Sequence, residues 1–176
     1  MSQVRVPVVG NMAKMGELGA HWWNDSCDPE ELSDAVASGA VGATSNPVIV
    51  GNVVKKDPDR WLPEVDKLIS INPTDTEVDI SWKLIAQIGR IAAGILAPVY
   101  ERTAGEAGYL SLQVDPTLHP NAERMIDHGL FLASLADNIA IKVPATQAGL
   151  QATESLIGHG IGVNVTVSFT VPQAVA

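Results

Sequence analysis

The sequence predicts an α/β fold, a (β/α)8 TIM barrel truncated after its fifth strand. Three observations predict it. Short apolar runs alternate with segments of helical spacing along most of the chain, which implies parallel strands joined by helical crossovers. Within the runs, residues two apart sort into an apolar face and a more polar one. The polar groups gather toward the C-terminal ends of the runs, where a β/α barrel carries its active site. A half-exposed antiparallel sheet also alternates, but the helical linkers weigh against it.

The elements follow in order. Residues 1–20 read as an N-terminal arm, interrupted by Pro7, Gly10, Gly16 and Gly19 and without the apolar segment of a signal peptide. Residues 21–176 read as the partial barrel. His21 to Asp25 is the first strand. Asp28-Pro29-Glu30-Glu31 then supplies a cap, a proline at the first helical position and acids in the first turn. Gly39 stops that helix. Val41 to Asn46 is the second strand, closed by Pro47. The stretch from Val48 to Arg102 is rich in helix, and within Thr74 to Ile95 the residues Val78, Trp82, Ile85, Ile88 and Ala92 fall close to helical spacing. Tyr109 to Val114 is the third strand, followed by a helix from Asn121 to Leu135. Ile139 to Val143 is the fourth, followed by a helix from Ala148 to His159. Gly162 to Phe169 is the fifth, and Thr170-Val171-Pro172-Gln173 caps a further helix.

Composition narrows the function. The 176 residues are 46% hydrophobic, enough for one real core. A net charge of −9 argues against nucleic acid as a partner, though a small phosphorylated substrate needs only a local positive site. The lone Cys27 rules out an internal disulfide framework and suits a reducing, cytoplasmic setting. No uninterrupted apolar run approaches the roughly 18 residues of a membrane span. His21, His119, His128 and His159 show no metal-ligand spacing. No phosphate-cradling glycine motif and no G-x-S-x-G elbow occurs, and Cys27 has no assignable histidine partner. The four tryptophans are scattered and read as core or interface residues.

Lys142 is the residue that suggests chemistry. It lies in Ile139-Ala140-Ile141-Lys142-Val143-Pro144, a run that reads as a buried strand. Burying an unpaired ammonium is costly, and a lysine amine kept neutral is a nucleophile toward carbonyls. The other reading is a lysine whose stem lies along the strand while its head reaches water. Counting by twos puts Lys142 on the face of Ala140 and Pro144. The corresponding faces carry Thr44 and Asn46 in the second strand, Ser111, Gln113 and Asp115 in the third, and Asn164, Thr166 and Ser168 in the fifth.

Five runs carry a resemblance. They are Trp23-Asn24-Asp25-Ser26-Cys27, Gly42-Ala43-Thr44-Ser45-Asn46-Pro47, Leu112-Gln113-Val114-Asp115, Ile141-Lys142-Val143-Pro144-Ala145-Thr146 and Asn164-Val165-Thr166-Val167-Ser168-Phe169. In this order, one per strand, they resemble the transaldolase family, which includes transaldolases proper and fructose 6-phosphate aldolases. The resemblance implies a class I aldolase on a (β/α)8 barrel, acting on sugar phosphates in the pentose phosphate pathway, with no cofactor and no metal. It implies that Lys142 forms the Schiff base and that Asp25 is the acid/base on the sugar hydroxyl during carbon–carbon cleavage. Asn46 and Asn164 would bind substrate hydroxyls or the Schiff-base region, Thr44 would line the mouth, and Thr166 would help hold the catalytic water. Read without the family, Asn46 is a turn residue before Pro47, Thr166 a β-branched strand former, and Asp25 a neighbour of the cap at Asp28.

Two departures stand out. Gln113 occupies the place of a glutamate in transaldolases proper and resembles the aldolase branch; an amide there orients water but takes no proton at neutral pH. Thr76-Glu77-Val78-Asp79 copies the glutamate motif, but it lies in a helical pattern, where Glu77 reads as an exposed first-turn acid. The second departure is length, since a complete barrel takes about 250 residues. The sixth to eighth strands, with the family's phosphate-gripping residues, are expected to be missing, leaving a fragment or a chain completed by another copy through its open edges. The expected function is transaldolase, moving a dihydroxyacetone unit from a ketose phosphate to an aldose phosphate. The alternatives are a simple aldolase of the same family and a non-catalytic barrel piece acting as a scaffold.

Overall fold

The computed structural model describes residues 10–175, so the first nine residues of the expected arm lie outside the described residues. Within the rest of the arm stands a short helix, α1 (Asn11–Glu17), which the glycine-based reading did not foresee. Its sequence, NMAKMGE, is mostly good helix formers between the positive-φ glycines Gly10 and Gly19.

Five parallel strands follow: β1 (Trp23–Asn24), β2 (Gly42–Thr44), β3 (Tyr109–Gln113), β4 (Ile139–Pro144) and β5 (Val163–Thr166). They lie side by side in chain order, and helices link them: α2 (Pro29–Ala37), then α3 (Pro47–Lys56), α4 (Pro58–Ile71) and α5 (Glu77–Arg102), then α6 (Ala122–Ala133) and α7 (Gln147–Gly158). A short α8 (Val171–Val175) comes last. This is the strand–helix alternation of a truncated β/α barrel; among the described residues the sheet is not closed, and β1 and β5 each pair on one side only.

The strands are shorter than their sequence patterns. A residue counts in a ladder only while a neighbour pairs with it, and the C-terminal ends peel away into loops. Asp25 follows β1 directly, and Ser45-Asn46 turn into α3. The fifth run breaks at Val167, whose φ of 54° takes a β-branched residue out of the extended region. Phe169 is consequently in a loop and 85% exposed.

Caps fix where the helices begin. The Asp28 carboxylate accepts from the N–H groups of Glu30 and Glu31 at 3.1 and 2.9 Å. Thr76 and Asp79 form a reciprocal capping box at the start of α5, so Glu77 is an exposed first-turn acid. The 26-residue α5 is long and apolar enough to cross a membrane by length and composition alone. Its buried residues, among them Ile88, Ala92 and Leu96, face the protein interior instead. At Gly89 an added Cβ would lie 2.7 Å from the Leu112 side chain, so glycine lets α5 press on β3.

The core lies between the sheet's outward face and these helices. Leu110, Leu112 and Val114 of the β3 run and Ile139, Ile141 and Val143 of β4 are all buried in it. Asn138 ties the layers together: its amide donates to the carbonyls of Ala93 in α5 and Gly108 before β3, at 2.9 and 2.8 Å. Both amide donors are thereby satisfied in a nearly water-free place. That tie fixes the start of β4, and so the height at which Lys142 stands.

Candidate active site

The inward face of the sheet brings most of the expected residues together. Gln113 of β3 is the register partner of Lys142 in β4, and Lys142 is the partner of Asn164 in β5. In a parallel sheet, paired residues point to the same side and stand about 4.8 Å apart. Three neighbouring strands therefore offer an amide, an amine and an amide in one row. Thr166 stands one step higher on β5, paired with Pro144. Thr44 stands one step lower, paired with Ser111.

Lys142 is half-buried rather than buried, which corrects the sequence expectation. The flanking Ile141 and Val143 point into the helix layer and are fully covered, whereas Lys142 faces the open side. No hydrogen bond or ion pair of its Nζ occurs among the described residues, so nothing there competes for the amine.

Asp25 stands at the other side of the mouth. It is exposed, and its Oδ1 accepts a hydrogen bond from the Thr44 hydroxyl across the β1–β2 pair. The register Asn24 to Ala43 places Asp25 beside Thr44, so the contact follows from the ladder. Behind them, the buried Ser45 hydroxyl donates to Cys27 Sγ at 3.1 Å. Burial pushes the Cys27 thiol up from its ordinary value, which makes it a packed group, not a nucleophile.

The two asparagines differ. Asn46 Oδ1 accepts from the N–H groups of Val48 and Ile49, both at 2.9 Å, and caps α3. Its Nδ2 has no partner among the described residues and remains a donor at the mouth. Asn164 instead uses Nδ2, which donates to Ser111 Oγ at 3.1 Å. Gln113 is half-buried, with no side-chain hydrogen bond among the described residues.

Thr146, part of the lysine motif, is structural. Its hydroxyl accepts from Gly149 N–H at 3.0 Å and donates to the His119 carbonyl at 3.0 Å. It caps α7 and fastens the loop after β4. Gly149 has to be glycine, because a Cβ there would overlap the Pro144 carbonyl. A separate cleft of about 530 Å³, lined by Trp82, Lys83, Arg124 and His128 among others, lies between α5 and α6, outside the mouth. No group of three or more histidine, cysteine, aspartate or glutamate side chains able to hold a metal occurs among the described residues.

A parallel sheet with a lysine on its fourth strand and an aspartate closing its first matches a known pattern. The model of the Transaldolase/Fructose-6-phosphate aldolase family matches residues 22–176. The chain belongs to that family. Curated relatives agree. A transaldolase of Thiobacillus denitrificans is 34% identical over 171 residues, covering 92% of this chain and 46% of the relative. One of Trichodesmium erythraeum is 31% identical over 172 residues, covering 93% and 44%. Transaldolase 2 of Streptomyces coelicolor is 38% identical over 137 residues, covering 76% and 36%. The chain thus spans less than half the length of these transaldolases.

Sequence reading missed the bonds that hold the site residues. The Asp25–Thr44 bond joins residues 19 apart and the Asn164–Ser111 bond joins residues 53 apart. The sequence signal for the Asn164–Ser111 bond was the shared face counted by twos, and for Asp25 and Thr44 the family resemblance that puts both at the mouth.

Proposed function

We propose that the protein is a cytoplasmic transaldolase, transferring a dihydroxyacetone unit from a ketose phosphate to an aldose phosphate through a Schiff base on Lys142. Residues 21–176 carry the catalytic face, and residues 1–20 are an arm outside it. The observation that carries the reading is the register of Gln113, Lys142 and Asn164 on three adjacent strands, facing an aspartate held by Thr44.

The steps follow from the groups present. The Lys142 amine adds to the ketose carbonyl carbon and water leaves, giving a protonated imine. Asp25 takes the proton of the hydroxyl on the second carbon from the imine carbon as the bond between that carbon and the one next to the imine carbon breaks. The bonding electron pair moves into the imine, leaving an enamine on Lys142 and releasing the aldose phosphate. The enamine then attacks the acceptor's aldehyde carbon, and Asp25 returns the proton to the new hydroxyl. Water hydrolyses the imine and frees the lysine. Asn46 and Asn164 hold substrate hydroxyls, Thr44 steadies Asp25, and Thr166 with Gln113 positions the water.

A second reading, a simple aldolase that releases free dihydroxyacetone or joins it to an aldehyde, is favoured by one observation. Gln113 stands beside Lys142 as an amide, and an amide cannot relay the water's proton. Product analysis with and without an aldose phosphate acceptor separates the two. Lys142 itself is tested by treating the protein with a ketose phosphate and borohydride. We expect a stable mass addition at Lys142, absent from Lys142→Ala. Labelling that survives Lys142→Ala would overturn the assignment.

A further inference from the structure

We propose that Ser111 is a positioning residue for the active site: it holds the Asn164 amide across β4 and leaves Asn164 Oδ1 facing the mouth as an acceptor for a substrate hydroxyl. The inference rests on the reading of Asn164 as a substrate-binding residue.

Ser111 and Asn164 are not on neighbouring strands. Ser111 is in β3 and Asn164 in β5, with β4 between them. Ser111 pairs with Ala140, and Asn164 with Lys142. A bond from Asn164 to Ser111 therefore passes diagonally over β4, across the residue below Lys142. That residue is alanine, and only a methyl group stands in the way. Gly162, two before Asn164 on the same strand side, adds no side chain there, though a Cβ would make only ordinary contact with the Ala140 methyl, at 3.7 Å.

Ser111 is fully buried, one of few polar residues to be so among the described residues. A buried hydroxyl needs a partner, and here the partner is the Asn164 Nδ2 at 3.1 Å. The bond has two consequences. It restrains the Asn164 side chain, whose Nδ2 is held against Ser111 Oγ across the intervening strand. It also occupies Nδ2, so that Oδ1 is the group left without a partner among the described residues. Asn46 has the opposite arrangement, its Oδ1 used and its Nδ2 free. The two asparagines thus offer the mouth a donor from Asn46 and an acceptor from Asn164, a fit for a substrate that carries hydroxyls on both sides of its carbonyl. Ser111 touches no reacting atom in this scheme; it acts through Asn164.

The test is a double-mutant cycle in the full protein. Ser111→Ala should weaken turnover of the ketose phosphate donor ~3- to 10-fold, chiefly through KM, as expected for loss of one hydrogen bond. Borohydride trapping at Lys142 should persist. In an Asn164→Ala background, Ser111→Ala should have little further effect, because both changes break the same link. Ala140→Val, which keeps both partners and blocks the path, should copy Ser111→Ala. The Asn164 side-chain amide signal in ¹⁵N spectra should move in Ser111→Ala and in Ala140→Val. Additive losses in the double mutant, or an unmoved Asn164 signal, would overturn the proposal and leave Ser111 as packing. A wild-type protein that traps no ketose phosphate would instead overturn the proposed function. The Asn164 signal alone would then judge the Ser111 link, in its favour if it moves in Ser111→Ala and against it if it does not.

Discussion

The two sides of the mouth are built differently. On one side, β1 and β2 are only two and three residues long, and Asp25 stands exposed just past its strand. On the other, β3, β4 and β5 have five, six and four residues and carry Gln113, Lys142 and Asn164 in register. The outward residues of β3 and β4 on the long side are packed into the core. The short side relies on individual bonds, chiefly from Thr44 to Asp25. The difference matches a division of labour. Imine formation needs a fixed amine among fixed polar neighbours, whereas cleavage needs a carboxylate that meets a hydroxyl and exchanges a proton with it. If the division holds, changes on the short side should stop cleavage without stopping imine formation.

The largest effect tests that directly. Asp25→Ala should lower transfer ~10²- to 10⁴-fold, the usual contribution of a positioned acid/base group. Trapping of the ketose phosphate on Lys142 should remain close to wild type, read by intact mass after borohydride. Turnover within a few-fold of wild type would make Asp25 structural; joint loss of trapping and turnover would erase the distinction between the two sides.

The next change probes the long side. Gln113→Glu puts a titratable group beside Lys142. Because Gln113 is only half-buried and unbonded among the described residues, a carboxylate there keeps access to water, and the melting temperature should fall little. The ratio of transfer to release of free dihydroxyacetone should change several-fold, because a carboxylate can relay the water's proton and an amide cannot. An unchanged ratio with a large loss of stability would defeat the mechanistic role of Gln113.

These sides were unequally legible in the sequence. The faces of β3 and β4 followed from apolar alternation, because Leu110, Leu112, Ile139, Ile141 and Val143 really do enter one core, whereas Val165 of β5 is exposed. The cap at Asp28 followed from local chemistry, within a few residues of the helix it starts. The strand ends did not, because Val167 leaves the extended region and its alternation continues for two residues regardless. The burial of Lys142 was overstated for a related reason. A sequence run shows that its neighbours are covered, but not that the other face is open. The bonds Asp25–Thr44 and Asn164–Ser111 depend on register between distant strands, which no local pattern encodes.

A smaller effect concerns the rim of the long side. His128 in α6 accepts a hydrogen bond through Nδ1 from the Asp115 N–H, two residues beyond Gln113, at 3.0 Å. Burial, partly offset by the Asp115 charge, lowers its pKa from the ordinary value of 6.5. The unfolded chain therefore binds a proton more readily than the folded one. That contribution to stability is fully present above pH 6.5 and is lost as pH falls through the folded pKa. Melting temperature should decline over this window in the wild type and decline less in His128→Asn, whose side chain has no such titration. Parallel pH profiles would remove His128 from the support of β3.

The smallest expected effect falls on the short side. Thr44→Val removes the hydroxyl that donates to Asp25 while keeping a β-branched residue suited to β2. Asp25 keeps its charge and its water, so cleavage should fall ~3- to 10-fold, the scale of one hydrogen bond, and imine trapping should not change. The loss should vanish in Asp25→Ala, where there is no carboxylate left to steady. Thr44 and Ser111 are themselves register partners, so the same substitution also asks whether the two sides are independent. If Thr44→Val disturbs only cleavage and Ser111→Ala only donor binding, with additive effects together, then the β2–β3 boundary separates two working halves. Strong coupling between them would mean that the mouth acts as a single polar network, and the contrast between the two sides would reduce to strand length.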